Sequence, residues 1–273
     1  MSPQNENTST QQGKFIQANG IDMYYEDYGS GTPVVLLHGG LSTSAMMKAF
    51  VPALAKHFRI ITPDLRGHGK TNNPSSQFSY RLLAHDLAEF INRLELDQPF
   101  VCGWSDGGQI ALELGMQHPA LAKGLLVGAA WFKFSESYQN FLRFLGLEAP
   151  GHVNYAQTEK AVPQLVAALR SLHAPGPEYW KELLQQISTM WWTPLGYTAA
   201  DFQRITIPTL ILVGDRDPVV PVEEAVEMYR LISKAELAIA AHTDHGFPRA
   251  NPDTFTALTL SFLLRHSEIK DAG

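Results

Sequence analysis

The chain has 273 residues, 45% of them hydrophobic and 18% charged, enough for one large core with room for a small accessory unit. A net charge of −6 without any Lys/Arg cluster argues against nucleic acid or an anionic membrane as partner, because both demand a concentrated positive face. The single cysteine, Cys102, permits no intrachain disulfide, and the longest apolar run, residues 124–132, is far shorter than the roughly 18 residues that would span a bilayer. Residues 1–13 lack both the apolar run and the basic start of a secretory signal, so a disordered tail on a cytoplasmic protein is expected.

Residues 15–21 and 23–28 read as two short strands joined at Asn19-Gly20, a dipeptide that closes hairpins, and hence as an antiparallel edge. After a Gly/Ser/Pro turn, Val34-Val35-Leu36-Leu37 is a continuous apolar run of the kind buried on both faces of a parallel sheet. A helix is expected over residues 44–56, a strand over 59–62, and a second helix over 80–94 with Ser79 as N-cap. Residues 99–102 form the next predicted strand, followed by a helix after Asp106 and another buried strand over 124–130. Cys102 is expected to be a core thiol.

From residue 131 to 200 the regular alternation stops. This stretch holds twelve of the 28 aromatic residues, and five prolines break it into short helical stripes, so it is expected to be a helical insertion. Strands over 208–213 and 236–241, with helices over 222–232 and at the C-terminus, resume the pattern. The core domain then comprises residues 14–130 and 201–273. Strands alternating with helices predict an α/β fold with a mostly parallel, doubly wound sheet, whose sites lie outside the carboxyl ends of the strands.

Four loops leave those ends, and they carry His38-Gly39-Gly40, Ser105, Asp217 and His245. Ser105 is the centre of Gly103-Trp104-Ser105-Asp106-Gly107-Gly108, a strand-to-helix turn in which only residues without a Cβ at 103 and 107 would let strand and helix approach. A hydroxyl is a poor nucleophile near neutral pH, so the serine needs an imidazole base, and the base needs an orienting carboxylate.

These pieces, together with Asp64-x-Arg66-Gly67-His68-Gly69 and Asp215-Arg216-Asp217-Pro218-Val219-Val220-Pro221, resemble the α/β-hydrolase family over nearly the whole chain after the tail. The Trp-Ser-Asp-Gly-Gly elbow looks most like that of the biphenyl-hydrolase-like ester hydrolases. The resemblance implies a Ser105, Asp217, His245 triad, with the acid just before Pro-Val-Val-Pro and the base before Phe247-Pro248. Asp215 and His242 are the competing acid and base. Relatives that carry the acid after the preceding strand offer no alternative here, because residues 128–135 hold no carboxylate. The resemblance also implies an oxyanion hole from the backbone N–H groups of Asp106 and Gly40, with Leu41 as the fallback for the second. His38 and His68 read as loop-bracing residues.

Asp106 has two readings: a carboxylate complementing the positive end of the elbow helix, or one that faces the pocket and favours cationic amine substrates. Insertion 131–200 occupies the family's cap position, and a substrate pocket is expected from Leu41, Trp104, Trp131, Phe132, Trp191 and Trp192. The expected activity is cofactor-free, metal-free hydrolysis of a small-molecule ester or lactone through an acyl-enzyme. Carbon–carbon bond hydrolase, amidase and perhydrolase chemistry share the triad, and a small-molecule sensor shares the fold. A metallohydrolase built on His242-x-Asp244-His245 would need a histidine where Ala240 stands.

Overall fold

A computed structural model describes residues 13–267. The tail expected over residues 1–13 therefore lies, but for Gly13, outside the described residues. In chain order the core opens with β1 (Lys14–Ala18), β2 (Ile21–Tyr28), β3 (Pro33–Leu37), a 3-10 turn (Ser44–Ala49), α1 (Val51–Leu54) and β4 (Arg59–Pro63). It continues with α2 (Tyr80–Arg93), β5 (Phe100–Trp104), α3 (Asp106–Gln117) and β6 (Gly124–Gly128).

The segment that follows holds α4 (Glu136–Phe144), a small hairpin of β7 (Leu147–Ala149) and β8 (His152–Val153), α5 (Tyr155–Ala161), α6 (Pro163–Leu172), α7 (Tyr179–Trp191) and α8 (Ala199–Gln203). The chain then returns to the sheet through β9 (Thr209–Gly214), α9 (Val222–Leu231), β10 (Ala235–Ala240), α10 (Phe247–Ala250) and α11 (Pro252–Ser267).

Eight strands form one sheet in the order β1-β2-β4-β3-β5-β6-β9-β10. All neighbours from β4 to β10 pair in parallel, whereas β1 pairs β2, and β2 pairs β4, antiparallel. This is the α/β-hydrolase type of sheet, and its hairpin edge follows from Asn19 and Gly20, whose φ of 45° and 76° make the left-handed turn that matches strand twist. Strand β5 is buried along its length. Its Phe100 and Trp104 rings meet Phe262 and Phe255 of α11 at 6.2 and 5.8 Å, while Gly103, on the opposite pleat face, abuts α3. The site therefore sits at the end of a strand clamped between two helices.

Three elements differ from expectation. The helix over 44–56 is a 3-10 turn capped by the Thr43 side chain and then a four-residue helix with Pro52 in its first turn, because proline tolerates only that position. Strand β6 stops at Gly128, where Ala129 turns left-handed with φ 45°. The β7/β8 hairpin was not expected, since its few residues offer no strand-length alternation. Ser79 caps α2 as read, accepting the Leu82 N–H at 3.1 Å. Cys102 is buried, and burial pushes its thiol up to about 12. Among the described residues, no helix is long and apolar enough to cross a membrane.

Candidate active site

Ser105 occupies the turn between β5 and α3 with φ 55° and ψ −120°, a backbone that a side chain adopts only where its surroundings over-determine it. Those surroundings are glycine. A Cβ on Gly103 would lie 2.0 Å from the Gly107 carbonyl oxygen, and one on Gly107 would lie 2.4 Å from the Leu37 oxygen. The hydroxyl is thereby held clear at the sheet edge. There Ser105 Oγ lies 2.9 Å from His245 Nε2, and His245 Nδ1 lies 2.8 Å from Asp217 Oδ2.

The Asp217 carboxylate has no exposed side-chain surface, and its second oxygen accepts the Val219 and Val220 N–H groups at 2.8 and 3.0 Å. Buried and saturated, it fixes the proton on Nδ1 of His245, which leaves Nε2 free to accept from the serine. The Trp104 indole donates to the His245 carbonyl at 3.0 Å and steadies the loop behind the ring. Asp215 instead accepts the Thr243 N–H at 3.1 Å, and His242 meets the Arg216 guanidinium at 2.6 Å, so the competing acid and base face elsewhere. His242 and His245 thus have separate partners. Among the described residues, no group of three or more His, Cys, Asp or Glu side chains could hold a metal ion.

The loop after β3 packs against this centre, with Gly39 placed so that a Cβ would sit 3.3 Å from that of Ser105. Leu41 is not a free donor: its N–H goes to His68 Nε2 at 3.1 Å. The Gly40 and Asp106 N–H groups donate to no acceptor among the described residues and border the same cavity. His68 donates from Nδ1 to the Arg66 carbonyl at 2.8 Å, while His38 Nδ1 meets the Gly39 carbonyl at 2.7 Å and its Nε2 accepts the Leu65 N–H at 3.0 Å. Burial lowers both rings, His38 to about 4 and His68 well below its usual value, so each serves as a neutral brace.

The carboxylate of Asp106 is buried at the cavity wall. It accepts the Tyr80 hydroxyl at 2.7 Å and the Trp191 indole N–H at 3.0 and 3.1 Å, and burial raises it to about 6 against the lowering effect of those bonds. It also stands in the first turn of α3. The two sequence readings of Asp106 are therefore not exclusive in position, although its two donors already occupy it.

The cavity measures about 190 Å³ and has Ser105 and His245 in its wall. Leu41, Trp131 and Trp191 line it, but three expected residues do not. Trp104 turns under the sheet edge onto Phe247 and Phe255, Phe132 packs on Phe202, and Trp192 packs between Phe134 and Arg143. In their place stand Tyr138, Phe141, Leu142 and Leu145, an apolar stripe at helical spacing on and just after α4. That stripe was legible as a face, but not what it faced. A larger groove of about 700 Å³ beside Phe78 and Glu182 is open and contains no nucleophile–base pair.

The sequence pattern described as the Alpha/beta hydrolase family matches residues 34–258. The chain belongs to the α/β-hydrolase family. This α/β-hydrolase is 28% identical to the 2-hydroxy-6-oxo-6-(2'-aminophenyl)hexa-2,4-dienoic acid hydrolase of Metapseudomonas resinovorans, over 95% of this chain and 93% of that one. It is 27% identical to the pimeloyl-[acyl-carrier protein] methyl ester esterase of Nitrosospira multiformis, over 89% and 98%. Among solved structures it is similar to a thermophilic esterase from Thermogutta terrifontis, with a TM-score of 0.74, 25% identity, and coverage of 93% and 99%.

Proposed function

We propose that this α/β-hydrolase is a serine hydrolase of small, uncharged carboxylic esters or lactones, acting through an acyl-enzyme on Ser105. The observation that carries the reading is the unbroken relay from Ser105 through His245 to Asp217, at 2.9 and 2.8 Å. As Ser105 Oγ attacks the carbonyl carbon, His245 Nε2 takes its proton, and Asp217 stabilises the imidazolium without itself being protonated. The carbonyl oxygen becomes an oxyanion between the Gly40 and Asp106 N–H groups, each worth roughly 3 kcal/mol in the transition state. Collapse breaks the ester bond, and His245 passes the proton to the leaving alkoxide. Water, deprotonated by the same nitrogen, then attacks the acyl-enzyme and restores Ser105.

Cavity size and charge support the substrate class. A space of about 190 Å³ is below the roughly 300 Å³ at which drug-sized sites begin, so a short acyl or alcohol group is expected. No lysine or arginine lines it, and Asp106 stands beside the nucleophile, so a substrate carboxylate would be buried without a counter-charge. The helices between β6 and β9, which supply Tyr138, Leu142 and Trp191 to the wall, would act as the cap over residues 131–200.

A second reading is favoured by the near full-length likeness to the dienoic acid hydrolase: the same relay cleaving a carbon–carbon bond next to a carbonyl. One panel decides between them. Neutral short-chain esters and lactones should turn over repeatedly, with an acyl adduct on Ser105 detected by mass. Preference for a 2-hydroxy-6-oxo-dienoate would replace the ester reading by the second. Full ester turnover in Ser105→Ala, or a single reaction without turnover, would remove both.

A further inference from the structure

The β3 loop is held by a chain of contacts that begins outside the cavity lining. Gly40 precedes Leu41, which holds a left-handed φ of 60° although it is not glycine. That conformation needs an external restraint. The restraint is His68, whose Nε2 takes the Leu41 N–H at 3.1 Å and whose Nδ1 donates to Arg66 at 2.8 Å. His68 thus fixes which amide of the β3 loop is spent on the protein and which is left for the substrate oxygen.

The loop that carries His68 is itself clasped by the segment between α6 and α7 and by the first residue of α7. The Gly69 N–H donates to His173 Nδ1 at 2.9 Å, the Ala174 N–H donates to the Gly69 carbonyl at 2.8 Å, and the Tyr179 hydroxyl donates to the Gly67 carbonyl at 3.0 Å. Gly69 has φ 54°, and a Cβ there would lie 2.0 Å from Asp64 Oδ2, so the backbone has no slack to adjust. The His173 ring is buried, stands 6.0 Å from that of His68, and does not border the cavity. Because Nδ1 accepts, the ring must be neutral with its proton on Nε2.

We propose that His173 is a positioning residue for the oxyanion hole: by clasping Gly69 it seats His68 against Leu41 and so aims the Gly40 N–H at the reacting carbonyl. Docking of the helical segment and assembly of the hole become one event. The proposal rests on the serine hydrolase reading, but part of its test does not require turnover.

Two variants separate positioning from simple stability. His173→Ala removes the acceptor, whereas His173→Asn places an amide oxygen close to where Nδ1 stands. With His173→Ala, kcat on a neutral ester should fall by about tenfold or more with KM nearly unchanged, as expected for partial loss of one oxyanion donor. Affinity for a trifluoromethyl ketone, whose adduct with Ser105 carries an oxyanion, should fall by a similar factor. His173→Asn should recover most of both losses. Independently of activity, amide hydrogen exchange in His173→Ala should quicken at Leu41 as well as at Gly69.

Faster exchange at Gly69 with no change at Leu41 would overturn the coupling, as would a folded His173→Ala with wild-type kcat and ketone affinity. If the alanine variant does not fold, the asparagine variant carries the test, and exchange at Leu41 differing from wild type while Gly69 stays protected would overturn it. Wild-type protein that turns over no ester, with His173→Ala still quickening exchange at both Leu41 and Gly69, would instead sink the hydrolase reading and leave the clasp standing.

Discussion

The Trp191 indole N–H reaches both carboxylate oxygens of Asp106, at 3.0 and 3.1 Å, so the residue after the nucleophile is tied through its side chain to the last residue of α7. Its main chain and its side chain thus belong to different tasks. The N–H lies beside Ser105 at the cavity, while the carboxyl group joins α3 to α2 through Tyr80 and to α7 through Trp191.

Trp191→Phe keeps the aromatic wall but removes the donor. The carboxylate is then buried with one partner fewer, a loss of about 1 to 3 kcal/mol. We expect a lower urea midpoint at pH 8, with the deficit shrinking at pH 5, where protonation of Asp106 relieves the unpaired charge. A deficit independent of pH would show that packing alone holds Trp191.

Replacing any one member of the relay should give a similarly large loss, and replacing the neighbouring Asp215 should not. Ser105→Ala and His245→Ala should each lower kcat on a neutral ester by about 10⁴-fold or more, with Asp217→Asn costing about as much through the wrong tautomer. Asp215→Asn, whose carboxylate only accepts the Thr243 N–H, should stay within a few-fold of wild type. Steady-state kinetics on one chromogenic ester would reveal any inversion of that order.

Asp106→Asn addresses charge selection. Relative to a neutral ester, the kcat/KM for a matched carboxylate-bearing ester should rise, and that for an amine-bearing ester should fall, by about tenfold each for one buried charge at close range. An equal effect on all three would assign the carboxylate a purely structural part.

Stability against pH combines two opposite contributions. The folded-state value of His38 is lowered from 6.5 to about 4, so its contribution is intact above pH 6.5 and is lost as pH falls toward 4, by roughly 3 kcal/mol. Burial lowers His68 and His173 in the same sense. Asp106 is raised from 3.8 to about 6, so its contribution is present at low pH and is lost as pH rises through 6. The wild type should lose stability between pH 6 and 4, because three lowered imidazoles outweigh one raised carboxyl, and Asp106→Asn, freed of the partly compensating group, should lose it more steeply. Urea midpoints at pH 7, 5 and 4 provide the comparison, and equal slopes would contradict it.

The parts of this molecule that were legible in its sequence are those where backbone demands a residue type. Gly103 and Gly107 betray the close approach of β5 and α3, Asn19-Gly20 betrays the hairpin, and the loop residues at the strand ends betray the reacting groups. Ring direction was not legible. Trp104, Phe132 and Trp192 stand near the cavity along the chain, yet each rotates into packing with Phe247, Phe202 or Phe134, which no local pattern announces. Tyr80 and His173 were missed for a related reason. Each meets its partner across a sequence gap of 26 and 104 residues, where neither periodicity nor motif spacing carries information.

Gly40 has one more implication, for how the site could change. A methyl group there would lie 2.4 Å from Asp106 Oδ2 and 2.6 Å from the Trp191 ring, so the cavity wall beside Ser105 has no tolerance for growth at this position. Widening of the cavity is easiest on the opposite wall, where Leu142, Leu145 and Leu165 are aliphatic and shed volume one methylene at a time. Selection for bulkier substrates can therefore proceed on the helices after β6 while the machinery below stays untouched.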